Sequence, residues 1–439
     1  MSIPTRSDVQ TGSFLLRWTT KESDMRLARH VLCLSLLLVF GRPLLAGDSA
    51  QPDDPTRQHD PMRQHSAVPV APLSADELKA GWISLFDGRS LFGWQPNSEM
   101  NWTVRDGAIR ADRGKPGLLL TTFELADYEF RCDYRLQKGG NSGIFLRTPF
   151  APKNPAKDCY ELNMCDSHAA YPTGSLVGRK KAQGTFRGEG AWMTMFARVE
   201  GNRIIARLGR QPVIDFTDDS PNRLRVGKIG LQMNGGTVEF RNVCLRPLST
   251  NGIFEGHDLG GWHLVPGCKT GFEVVDGTIH ASHGPGFLET DSTWANFCLQ
   301  FEARTNAPRV NSGVFFRTMR GTAREPSNGY ELQIQNGFKH GERSDPVDAG
   351  TGAIYRRTKA RWVIADDRAW FTATLIANQA HFCVWVNGVQ VTDWTDTRPP
   401  NPNPRRGLSL VAGHLSLQGH DHTTDLNFRR FRVGEIPTE

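Results

Sequence analysis

The 439-residue chain lacks any apolar run long enough to cross a bilayer, for which a helix needs about 18–20 consecutive apolar residues. It lacks a sustained helical pattern: apolar residues alternate over short stretches and do not recur at the three-to-four spacing of a long amphipathic helix. It lacks a concentrated basic face, with 52 Lys/Arg against 46 Asp/Glu, which argues against nucleic acid as a partner. Cysteine is scarce, eight in all, too few for a disulfide scaffold in a chain of this length. What is abundant is turn chemistry, Gly 44 and Pro 26, the composition of many short strands.

The first residues resemble a targeting segment. Arg26 and Arg29 precede an apolar stretch from Val31 to Phe40, and Leu44-Leu45-Ala46 offers a small-residue cleavage site, the layout of a secretory signal peptide. Residues 1–46 are therefore the expected signal region, with Met25 the expected start, and the product is expected to be secreted or periplasmic. Cleavage after Ala46 removes six Lys/Arg and three Asp/Glu and leaves a net charge of +3. Of the seven remaining cysteines, Cys159 and Cys165 bracket an expected strand and stand about 20 Å apart, beyond disulfide reach; most of the seven suit small core positions. Residues 47–74 are rich in Asp, Pro, Gln and Arg and read as a disordered linker. Ser74 followed by Glu77 forms a capping box for a short helix that Gly81 can close.

Beyond this point the chain repeats itself. NSGIFLRT (Asn141 to Thr148) returns as NSGVFFRT (Asn311 to Thr318), 170 positions later, and CYELNM at Cys159 returns as GYELQI at Gly329 with the same offset. WTVRDGAI at Trp102 pairs with FEVVDGTI at Phe272; further on, Leu231 pairs with Leu417 and the offset grows to 186. Two copies at so long a period indicate a duplicated domain, expected over 75–249 and 250–436, and not a solenoid. Within each copy, two-residue alternation such as YEFRCDYRL (Tyr128 to Leu136) and HFCVWV (His381 to Val386) is separated by Asp106-Gly107, Asp276-Gly277, Gly201-Asn202 and Asn387-Gly388. Such turn pairs predict hairpins. The expected fold is all-β, two antiparallel sandwiches of jelly-roll type.

Alternation also assigns faces. Gly143, Phe145 and Arg147 fall on one side, as do Glu161 and Asn163 on a later strand; Gly313, Phe315, Arg317, Glu331 and Gln333 repeat the arrangement. Each copy is thus expected to present an arginine and a glutamate toward the same side. Two readings stay open: a structural Arg–Glu salt bridge copied with the domain, or a groove in which the planar groups bind paired sugar hydroxyls. Asp166 and His168 follow Glu161 closely; these types suit acid/base or metal chemistry and also occur in solvated turns. The second copy has Asn336 in place of Asp166 but carries His420 in LQGHDH, where the first copy has Asn234 in LQMNGG. Asn141, Asn163 and Gln232, with Asn311, Gln333 and Gln418, are the candidate substrate-binding amides. Trp94 and Trp262 fit the core better than a sugar-stacking surface.

The ordered set SLFDG..L.GW, W.V.DG.I, NSGIFLR, YEL, TG and GKIGLQMNGGTVEFRNV resembles the 3-keto-disaccharide hydrolase domain family, also described as 3-keto-glucoside 1,2-lyase or 3-keto-2-hydroxy-glucal hydratase, and covers most of 75–436 twice. The resemblance implies a concanavalin A-like (lectin/glucanase) jelly roll and a carbohydrate partner, an oxidised di- or oligosaccharide or glycoside. It implies removal of the acidified C2 proton of a 3-keto sugar, loss of the C1 substituent, and addition of water. The candidate catalytic residues are then Arg147, Glu161, Asp166 and His168, with Arg317, Glu331 and His420 in the second copy. The resemblance fixes no cofactor, and the Glu, Asp and His candidates leave a divalent metal ion open. The unequal polar sets predict one working copy, expected to be the first because Glu161, Asp166 and His168 lie within eight residues. The competing reading is a non-catalytic, lectin-like tandem module.

Overall fold

In this computed structural model residues 68, 69 and 71–438 are described; the expected signal region and residues 47–67 of the linker lie outside them. The helix Ala75–Lys79 is capped as its sequence predicts: the Ser74 hydroxyl accepts from the Glu77 amide and the Glu77 carboxylate accepts from the Ser74 amide. Gly81, at φ +90°, lets the Gly81 and Trp82 amides donate back to the Leu78 and Glu77 carbonyls, which satisfies the orphan carbonyls of the last turn.

Two sheets follow, both antiparallel. One runs in the order Gln211–Thr217, Arg203–Leu208, Trp192–Glu200, Tyr128–Leu136, Val238–Pro247, Ala108–Ala111, Thr103–Arg105, with Ile83–Ser84 added beside Val238–Pro247. The other is five-stranded: Trp94–Pro96, Gly117–Thr121, Lys228–Met233, Ser142–Thr148, Tyr160–Met164. The second copy rebuilds both in the same order, its five-stranded sheet being Trp262–Leu264, Gly286–Thr290, His414–Gly419, Ser312–Thr318, Tyr330–Ile334. The two NSG strands therefore lie in different sheets. Each copy is a concanavalin A-like jelly-roll sandwich, with the inward residues of both sheets, such as Ile144, Leu162, Phe130 and Phe240, fully buried. The turn pairs act as predicted. Asn387 and Gly388, at φ +46° and +75°, form the two-residue loop that joins His381–Val386 to Val389–Thr395, the left-handed geometry this hairpin requires.

Alternation fails in HFCVWV, where Phe382 to Val386 are all buried. Phe382 and Val384 face their own core, whereas Cys383 and Trp385 belong to the buried cluster of the first sandwich. Trp385 packs edge-on to Phe123 at 5.3 Å and its indole N–H donates to the Ser84 carbonyl at 2.9 Å. The outer face of the second sandwich's larger sheet is thus covered by the first sandwich. All seven described cysteines are free, six of them buried.

Candidate functional site

The repeated arginine does not stand beside the glutamate. Arg147 and Arg317 adopt φ +48° and +49°, left-handed values that cost a non-glycine residue about 1–2 kcal/mol. At the same place the pairing with the neighbouring strand slips, between Phe145 and Thr148 and between Phe315 and Thr318. This bulge turns each arginine to the opposite face, where it is 2% exposed. Arg147 donates to the carbonyls of Ala126, Gly201 and Leu224 at 2.7–2.8 Å and to the Asp127 carboxylate at 2.8 Å. Arg317 donates to the carbonyls of Ala295, Gln379 and Ser409, and to the Asn296 amide oxygen at 3.3 Å. With no carboxylate beside it, burial pulls the Arg317 guanidinium down to about 10. These arginines clasp the loops at one end of each sandwich, and the expected Arg–Glu face is corrected accordingly: strict alternation does not survive a bulge.

The glutamates stay on the outer face of the five-stranded sheet. Glu161 lies opposite Phe145, and Glu331 opposite Phe315. The NSG glycine makes their room: a Cβ on Gly143 would come within 3.1 Å of Glu161 Oε1, and one on Gly313 within 2.9 Å of Glu331 Oε1. The NSG serines pin the adjacent strand, Ser142 to the Gln232 carbonyl and Ser312 to the Gln418 carbonyl. Burial pushes both carboxyls up to about 7, opposed by Gln232 at Glu161, and by Arg405 and the charge of His420 at Glu331. Beside each glutamate runs an apolar strip: Leu118, Leu120 and Phe145 in one copy, Phe287, Phe315 and Val265 in the other. The amide oxygens of Gln232, Gln333 and Gln418 are buried, with no hydrogen-bond partner among the described residues.

The copies differ in what surrounds this face. The segment 396–413 of the second copy replaces a shorter 218–227 and carries Arg405, whose Nη1 lies 3.1 Å from Glu331 Oε2 with the guanidinium 4.9 Å from the Phe315 ring. Asp348 receives the Asn311 and Gln333 amides at 2.8 and 3.1 Å. His420 is 42% exposed and holds Asp421 at 2.9 Å; Thr423 and His420 together keep that carboxyl down at about 2. Arg405 and Asp348 lie in loops far from the repeated motifs, and only the length of the insertion hinted at them.

In the first copy the sequence cluster disperses. Asp166 accepts from the Thr173 hydroxyl at 2.6 Å and from the Gly188 amide at 3.0 Å. Exposed His168 accepts from the Tyr171 amide, and among the described residues no hydrogen bond or ion pair joins either residue to Glu161. Asn336 accepts from Thr351 in the same way, so the Asp166/Asn336 position fastens the Thr-Gly loop and the substitution leaves that role intact. Asn163 is tied to the Tyr171 carbonyl, and the Asn141 amide to Gly235. Trp94 and Trp262 are buried, each donating its indole N–H to a backbone carbonyl. Among the described residues the group of three His, Cys or carboxylate side chains close enough to share a metal ion is His381, Cys383 and Asp393, not the glutamate face.

The chain matches the family described as 3-keto-alpha-glucoside-1,2-lyase-like domain over residues 81–246 and again over 250–434. A curated relative from Bacteroides thetaiotaomicron named 3-keto-disaccharide hydrolase is 33% identical over 86 residues; the match takes in 17% of this chain and 28% of that protein. A solved structure from Parabacteroides distasonis, described as a candidate glycosyl hydrolase, is 19% identical with a TM-score of 0.36, covering 40% of this chain and 98% of the other. A carbohydrate-binding module from Bacillus subtilis is 18% identical with a TM-score of 0.27, covering 35% and 95%. With both sandwiches matched from end to end of their sheets, the chain belongs to the 3-keto-alpha-glucoside-1,2-lyase-like domain family, as a tandem pair of carbohydrate-active jelly rolls.

Proposed function

We propose that the second sandwich cleaves 3-keto-glycosides by β-elimination followed by hydration, and that the first holds the carbohydrate without turning it over. The observation that carries this is Glu331: a buried carboxyl raised to about 7, with a guanidinium at 3.1 Å and an apolar strip beside it. In its ionised form Glu331 takes the C2 proton of the keto sugar, a proton made acidic by the neighbouring carbonyl. A raised carboxyl pKa matches such a base to neutral pH. Arg405 supplies positive charge where the enolate oxygen develops, and the C–O bond to the C1 substituent breaks as the double bond forms. In this reading His420, whose charge is felt at Glu331, returns a proton to the leaving oxygen. This family's substrate class and the N-terminal segment together support export of the protein to meet such sugars.

The first sandwich has Glu161, Asn163, Gln232 and the strip Leu118, Leu120 and Phe145, but no ion pair reaches Glu161 among the described residues. With amides beside it and no cation against its carboxyl, that face favours binding over turnover. The full protein should release product from a 3-keto-glucoside and leave the unoxidised glucoside intact. Equal rates on both, or on neither, would remove the lyase reading, and binding of both sugars without turnover would leave the lectin-like one.

A further inference from the structure

A second chemical cluster lies at the seam between the sandwiches, away from both glutamate faces. His381 and Cys383 are two apart on one strand and share its outward face; Asp393 sits directly across from Cys383 on the next strand. His381 Nε2 is 3.1 Å from Cys383 Sγ and 3.0 Å from Asp393 Oδ1, and the three ligand atoms lie within 4.8 Å of one another. The other ring nitrogen, Nδ1, is 2.7 Å from the Thr395 hydroxyl. The first sandwich closes the cluster. Its Thr122 hydroxyl donates to Asp393 Oδ2 at 2.6 Å and stands 3.7 Å from Cys383 Sγ.

The arrangement is not that of a nucleophile with its base and orienting acid. In such a triad the acid holds the nitrogen remote from the nucleophile; here thiol and carboxylate converge on the same Nε2, and a hydroxyl holds the other. One N–H cannot serve two acceptors at full strength, whereas one ion serves all three. A nitrogen, a sulfur and an oxygen donor at these separations suit a tetrahedral ion bound at about 2.0–2.3 Å. The Thr395 contact is the outer hydrogen bond that fixes a ligating imidazole. Lys228, which donates to the Thr122 carbonyl at 3.0 Å, adds one positive charge nearby. The thiolate, Asp393 and Glu124, 3.9 Å from Lys228, supply three negative charges, so a divalent ion leaves the locality neutral.

We propose that His381, Cys383 and Asp393 bind a zinc-class divalent ion at the seam, with Thr122 of the first sandwich beside it. Binding forms three metal–ligand bonds and releases the Cys383 thiol proton to solvent. The test is metal analysis of the untagged full chain after exposure to zinc and exhaustive dialysis, with cobalt(II) as a spectroscopic substitute. One equivalent per chain is expected, with a thiolate-to-cobalt band in the near ultraviolet. Cys383→Ser should abolish the band, and His381→Gln, at a partly exposed position, should lose most of the bound metal while the far-UV spectrum stays native. Glu331→Gln should keep the full equivalent, which separates this site from the sugar face. Absence of bound metal in the parent chain, or a full equivalent retained in both Cys383→Ser and His381→Gln, would overturn the proposal.

Discussion

The two sandwiches share a fold, an arginine clasp and a buried glutamate, and differ in the loops around that glutamate. In the first, segment 218–227 turns back directly, and among the described residues Glu161 has the Gln232 amide as its polar partner and no cation. In the second, the longer 396–413 lays Arg405 across Phe315 and against Glu331. Duplication kept the parts that hold the sandwich together, because their loss exposes unpaired buried groups. The parts that act on a ligand lie on loops, where insertion leaves the core untouched. Nearly identical eight-residue motifs therefore say little about whether the two copies do the same work.

The sharpest way to break this comparison is to neutralise each glutamate in turn. Glu331→Gln should reduce turnover of a 3-keto-glycoside by about 10²–10⁴-fold, the usual cost of a lost general base, while Glu161→Gln leaves kcat within about twofold and weakens carbohydrate binding instead. Steady-state kinetics on the two variants decide it, and the opposite pattern would assign the chemistry to the first sandwich.

Next in size is the clasp. Arg147→Ala strands three backbone carbonyls and takes the cation from the Asp127 carboxylate, which keeps the Gly201 amide and the Ser249 hydroxyl; it should cost about 3 kcal/mol in denaturant unfolding, the lower end for removing one partner of a buried ion pair. Arg317→Ala leaves only neutral acceptors behind and should cost less. Equal losses would show that Asp127 adds nothing to the clasp.

The smallest effect is on pH dependence. Burial raises both glutamates to about 7, above the unfolded value of about 4.3. The stabilising preference for the protonated form is complete below the unfolded value and is lost as pH rises through the folded one. Glu161→Gln should therefore raise the stability of the first sandwich above pH ~7 by up to about 3 kcal/mol, with the gain vanishing near pH ~4. Thermal melts across that range measure it. Glu331→Gln should gain about as much, because its carboxyl is raised to the same value with the pull of Arg405 already included. A pH-independent difference would mean that neither carboxyl is desolvated as described.

Read forward from the residues, the chain already contains its duplication, its all-β class, its hairpins at Asn387-Gly388 and Asp106-Gly107, and the capping box at Ser74. These are local: a turn pair, a capping residue or a period of two acts on its own neighbours. The glutamates were legible for the same reason, since alternation holds along an unbroken strand. Arg147 and Arg317 were not, because one left-handed residue at a bulge reverses every face beyond it, and that residue is held there by carbonyls from three distant loops. Asp166 and His168 looked like a site because they follow Glu161 in sequence, but once the strand ends at Met164 nothing keeps successive side chains on one face. Arg405 and Asp348 reach Glu331 and Gln333 only because long loops fold back over the sheet, and Cys383 meets Thr122 only because two sandwiches pack. Chain neighbours set the local geometry, while contacts between segments far apart in sequence depend on how the whole core closes, which tertiary structure alone decides.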